Sequence, residues 1–120
     1  MTSHIFFLVG FGFLLVHEMD AVRCHEWRLF PILRRMNDRA GYVAFTAVHV
    51  PIYALLLLGL TGGSSSNQEL IVGLDVFFVV HLIAHILLRD HRDNQFTSWF
   101  SWSLFTGAGV CGVIDLALGL

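Results

Sequence analysis

The stretch Leu70 to Leu88 reads LIVGLDVFFVVHLIAHILL. Its 19 residues carry one carboxylate and no arginine or lysine. A run of that length and polarity covers the ~30 Å hydrocarbon core of a bilayer as an α-helix. Two more runs match it. Gly41 to Leu60 is equally apolar, and Thr97 to Leu120 carries only Asp115, near its end. The first run, Ile5 to Val16, is too short alone. It reaches spanning length only if the helix continues through His17, Glu18 and Asp20 to about Arg23, which puts ionisable groups at membrane depth. No basic segment precedes it and no small-residue cleavage site follows, so it is expected to be a retained helix rather than a signal peptide.

These runs define the expected fold: an all-α, integral membrane four-helix bundle forming one domain over residues 1–120. The expected spans are about 4–23, 41–60, 70–88 and 97–119. Composition agrees, since hydrophobic residues make up 56% of the chain and charged residues 13%, against about 25% charged in soluble domains. No basic run points to nucleic acid. Cys24 and Cys111 fall at different depths, so no disulfide is expected. The Gly- and Ser-rich segment Thr61 to Glu69 reads as a loop, with Ser66 and Glu69 as a capping box for the third helix. Between the first two spans, Leu29, Leu33 and Met36 share a helical face opposite arginines, which predicts a short interfacial helix.

All seven basic residues are arginines, at positions 23, 28, 34, 35, 39, 89 and 92. They lie in the first and third connections and none in the second. The positive-inside rule then makes those two connections cytoplasmic and puts both termini of a multi-pass membrane protein outside. Trp27, Tyr42, Trp99 and Trp102 are expected to form an aromatic belt at that face.

Ionisable groups inside a membrane are costly and usually mark function. Counting at 1.5 Å per residue puts His17 roughly 9 Å below Arg23, His49 roughly 13 Å beyond Ala40, and His81 roughly 12 Å below Arg89. His85 shares a face with His81 at i, i+4. Histidines from three helices, with Glu18, thus converge on one layer. Imidazole plus carboxylate is the ligand set of zinc and of non-haem iron or manganese. The expected metal ligands are therefore His17, Glu18, His49, His81 and His85, holding one or two ions of zinc or iron. Asp20 and His25 are the candidates to orient ligands or move protons. Glu26 and His91 read as solvated rim residues or as partners that orient imidazoles. The competing reading for His49 alone is an interhelical hydrogen bond, and for Arg23 and Arg28 a salt-bridged helix end. At the opposite end, His4, Asp75 and Asp115 read as headgroup-level polarity or part of a proton path, Asp75 being the deepest.

The segments His17-Glu18-Met19-Asp20-Ala21 and His25-Glu26-Trp27-Arg28-Leu29-Phe30-Pro31 resemble a family of small bacterial four-helix membrane proteins with no assigned function. The likeness extends over most of the chain, including His49-Val50-Pro51 and the His81/His85 pair. More loosely, His81-x-x-x-His85 is similar to a histidine box of the membrane di-iron hydroxylases, although the chain has no HxxHH and fewer histidines. That likeness implies carboxylates such as Glu18 and Asp20 in place of some histidines if two ions bind.

Three functions follow in order of preference. The first is a membrane metalloenzyme of hydrolase or oxygenase type, acting on a lipophilic or membrane-accessible substrate. The second is a non-catalytic subunit or a proton or ion transport component, whose partner is another membrane protein or a second copy. The third is a small b-type haem protein using two histidines such as His49 and His81. Whether the chain is an enzyme stays open at this point, with metal-dependent catalysis the favoured side.

Overall fold

The computed structural model describes residues 4–62 and 65–119. Those residues form four long α-helices and no strand: α1 Ile5–Arg23, α2 Asp38–Thr61, α3 Ser65–Leu87 and α4 Trp99–Gly119. All four are long and apolar enough to cross a membrane. α2 begins earlier than the hydropathy pattern suggests because Asn37 caps it, its side chain accepting from the Ala40 amide at 2.8 Å. α4 begins at Trp99 because Ser98 accepts from the Ser101 amide at 3.1 Å. The second connection is shorter than its composition suggested, with helix through Thr61 and again from Ser65. The proposed Ser66 cap falls on a side chain outside the described residues.

The helices are not packed equally. α4 lies along both α1 and α3, while α2 touches α3 and the turn after α1 but scarcely meets α1. The result is a three-helix core with α2 at its flank. Glycine makes the core contacts close: the nearest atom to a Cβ built on Gly112 is the Asp75 carbonyl oxygen of α3, at 2.7 Å. Phe7, Leu14, Leu74, Phe78 and Ala108 fill the space between α1, α3 and α4. Only 6% of the apolar window of α2 is buried inside the molecule, and Val50, Leu55 and Leu58 stand bare.

The connection after α1 does not form the expected interfacial helix. It makes two short 3-10 turns, Glu26–Leu29 and Leu33–Arg35. Pro31 accounts for this: it donates no hydrogen bond, and it forces Phe30 before it into extended backbone, φ −89°, ψ 126°. Trp27 is not part of a surface belt. It is buried against Phe45 and Leu29 in a second core cluster, and its indole donates to Asp38 at 3.0 Å. Trp99 does stand exposed. Cys24 and Cys111 are both free and buried.

The glycine contacts give a paired test. Gly112→Ala forces α3 and α4 apart against backbone and should lower stability by about 1–3 kcal/mol. Gly73→Ala, where nothing lies within 4 Å, should instead leave stability unchanged or raise it by about 0.5–1 kcal/mol through helix propensity. Thermal unfolding of both variants in one detergent checks the difference, and equal melting temperatures would contradict the described α3/α4 contact.

Candidate metal centre

His17 is completely buried on α1 and faces the other core helices. Its ring lies edge-on to His81, with centroids 4.7 Å apart, and to His85 at 5.0 Å. His81 and His85, one helical turn apart on α3, are 4.6 Å apart. Aromatic rings hold the three imidazoles. His85 stacks on Phe105 of α4 at 4.2 Å, Phe96 packs against His85 at 4.8 Å and His17 at 5.4 Å, and Phe77 stacks on His81 at 5.4 Å.

A carboxylate completes the group, and it is Glu26. α1 ends at Arg23, and His25 then adopts a left-handed conformation, φ 53°. This reverses the chain and returns Glu26 beneath the end of α1 towards His17. Burial of Trp27 and Leu29 beside it anchors the turn. Glu26 Oε2 stands 3.3 Å from His17 Nε2, close enough for an ion pair but not aligned as a hydrogen bond. One donor atom from each of His17, Glu26, His81 and His85 lies within 4.8 Å of all the others. Among the described residues no other group of three or more metal-binding side chains is so placed.

Four of these atoms are buried without a hydrogen-bond partner: both ring nitrogens of His17, Nδ1 of His81 and Oε2 of Glu26. Unpaired buried polar atoms cost about 1–3 kcal/mol each and are rare unless a ligand, ion or water satisfies them. Burial pushes the Glu26 carboxyl up, but His17 beside it, with His85 and His81, outweighs burial and holds it below the ordinary carboxylate range.

The other candidates lie elsewhere. Glu18, next to His17, points off a different face of α1 towards α2, where its Oε2 meets His49 Nε2 at 2.7 Å. The His49 Nδ1–H donates to the Phe45 carbonyl at 2.6 Å. A carbonyl only accepts, so a proton must also lie between Nε2 and Glu18. This pair therefore stores one proton at the floor of a groove of about 370 Å³ between α1 and α2, walled by Leu15, Met19, Val22 and Phe45. Asp20 is a tie between helices. It accepts from Ser101 of α4 at 2.5 Å and from Arg23 at 3.0 Å. His25 bonds to Gln95 at 2.9 Å and joins the two arginine-bearing connections. His91 sits on the third connection, where its Nδ1 accepts from the Asp93 amide at 3.1 Å. At the far end, His4 bridges Asp115 at 3.1 Å and Gln68 at 3.0 Å.

The structure thus brings together three of the five histidine and glutamate ligands expected from sequence and pairs the remaining two with each other. Glu26 was read as a rim or orienting residue, yet it is 7% exposed. A straight continuation of α1 would carry it roughly 13 Å beyond His17. Only the reversal at His25 brings it back, and a left-handed histidine has no signature in sequence. The one available signal is the buried Trp27 and Leu29 ahead of Pro31, which marks a packed turn rather than a solvated loop.

No curated protein and no solved structure matches this chain. A family model described as a family of unknown function, DUF6713, matches residues 3–120, and the chain belongs to that family.

Proposed function

We propose that this chain is a four-span integral membrane protein holding a metal ion in its helical core, and that it is a metalloenzyme for a lipophilic substrate. The supporting observation is the convergence of three imidazoles and a carboxylate from two helices and a turn, with atoms of His17, His81 and Glu26 buried and unpaired. His17, His81 and His85 would hold the ion, with Glu26 as the carboxylate. Donors around a zinc ion stand about 3.3 Å apart for bonds of about 2.0 Å. The observed spread of 4.8 Å has to contract by about 1.5 Å at most, which rotation of the imidazoles and of Glu26 on its turn can supply. A bound ion supplies Lewis acidity and an activated water or oxygen. With iron or zinc bound, His17, His81 and His85 would hold the ion and Glu26 would either complete the ligand set or act as general base beside it.

A transport role is the second reading. Asp75 is 1% exposed with neither carboxylate oxygen bonded, and it shares a flank of α3 with Phe78, His81 and His85. A proton or ion path along that flank would use both polar layers. The haem reading has the least geometric support, because both nitrogens of His49 are engaged and His17, His81 and His85 are packed ring against ring.

Metal content separates these readings. Protein extracted from membranes without chelator should carry about one equivalent of zinc, iron or manganese, within the usual range for such a ligand set. His17→Ala and His85→Ala should lose it, whereas His49→Ala should keep it. No metal in the parent protein, even after reconstitution, would turn the assignment to transport. Retention in His17→Ala would remove that residue from the ligand set.

The carboxylates give a second comparison. Glu26→Gln should weaken metal affinity by at least about tenfold, and Glu18→Gln should not. Competition titration against a chromophoric chelator measures both, with helix content checked by circular dichroism. Equal losses in the two variants would place the carboxylate ligand wrongly.

A further inference from the structure

A cavity of about 130 Å³ lies against the histidine cluster, between the turn after α1 and α3. Glu26, His81 and His85 form its floor. Leu29, Ala84 and Leu88 form its walls. Phe30 is the one lining residue that is largely exposed, at 44%, and so marks the mouth. Next to Ala84 and Leu88 along α3, Ile83 and Leu87 are exposed to 49% and 76%. The passage from the outer surface to the polar floor is therefore hydrocarbon throughout.

Such a passage favours one kind of visitor. A cavity of about 150 Å³ with hydrocarbon walls stays dry and takes up a benzene-sized molecule. Water reaching the floor here would cross the walls with no hydrogen-bond partner, whereas an alkyl chain crosses them favourably. The floor then meets whatever the chain carries at its end.

We propose that this cavity is the substrate entrance of the metal centre, and that the substrate is a single-chain amphiphile entering from the apolar phase, its small ligating head directed to the ion and its first few carbons held by Leu29, Ala84 and Leu88. The inference rests on the metal reading and adds the substrate class and the route.

The test uses the full chain in detergent micelles, loaded with cobalt(II), whose visible spectrum reports a change of ligand. Acetohydroxamate and hexanohydroxamate present the same head on short and long chains. Burying each added methylene is worth about fourfold in affinity, so hexanohydroxamate should perturb the spectrum at a concentration at least about tenfold lower. Ala84→Phe fills the cavity and should bring the two ligands to parity in the same micelles, with cobalt affinity unchanged. Leu88→Trp narrows it from the other side and serves if Ala84→Phe does not fold. Parity in the parent protein, no spectral response to either ligand, or a chain-length preference that survives both variants would overturn the entrance. Failure of the parent protein to bind cobalt would sink the metal centre itself and this inference with it, whereas cobalt binding with hydroxamate parity would sink the entrance alone.

Discussion

The structure depends on one uncomfortable fact: His17, with two hydrogen-bonding nitrogens, is completely enclosed and neither nitrogen is bonded. The helices around it are apolar and can offer no backbone donor or acceptor, because their own amides and carbonyls are spent within each helix. Only side chains can answer a buried imidazole there. The chain supplies two more imidazoles and a carboxylate. Each neutral imidazole has one N–H and one acceptor nitrogen, yet none is aligned to bond His17, and this uncompensated desolvation is what a cation or proton between the groups would relieve. The aromatic rings that box in the imidazoles raise this demand, since they displace water that would otherwise serve.

The same constraint explains the division of labour on α1. His17 and Glu18 are neighbours in sequence, about 100° apart around the helix, and so they cannot serve one site. His17 turns to the core and Glu18 to α2. Each needs an answer, and each gets one of a different kind. Glu18 finds His49, whose second nitrogen is held by the Phe45 carbonyl, so that pair is complete with one shared proton. His17 finds only other ligands. An internally satisfied pair and an unsatisfied cluster thus lie on adjacent faces of one helix. Asp20, one turn further on, fixes the level of both by tying α1 to Ser101 of α4.

Helix positions were legible from hydropathy alone, because spanning length and apolarity leave few alternatives. The convergence of His17, His81 and His85 was legible too, since depth along a helix is a count of residues. Facing was less so. His49 lies in the right layer, but α2 sits at the flank, and no count along a single chain reveals which helix will be left out of the core. Glu26 was illegible for a further reason. Its position depends on a chain reversal through a left-handed His25 and a 3-10 turn, where distance in sequence no longer measures depth. The proline that broke the expected interfacial helix was visible at Pro31, and its effect on Phe30 follows from steric rules.

The flanking α2 bears on where the chain resides. A helix whose long apolar stretch is almost wholly unburied within the molecule has no hydrophobic reason to stay folded against its neighbours in water. In an apolar phase the balance reverses. The bare Val50, Leu55 and Leu58 cost nothing, and the attraction between helices passes to polar contacts. α2 has one such contact with α1, the Glu18–His49 pair, whose partners would otherwise be left desolvated. It has close packing with α3 near Gly59, where the Leu70 side chain sits 2.5 Å from a built Cβ. A polar clasp and a small-residue contact are how helices associate in lipid, and neither alone holds an apolar helix in place in water.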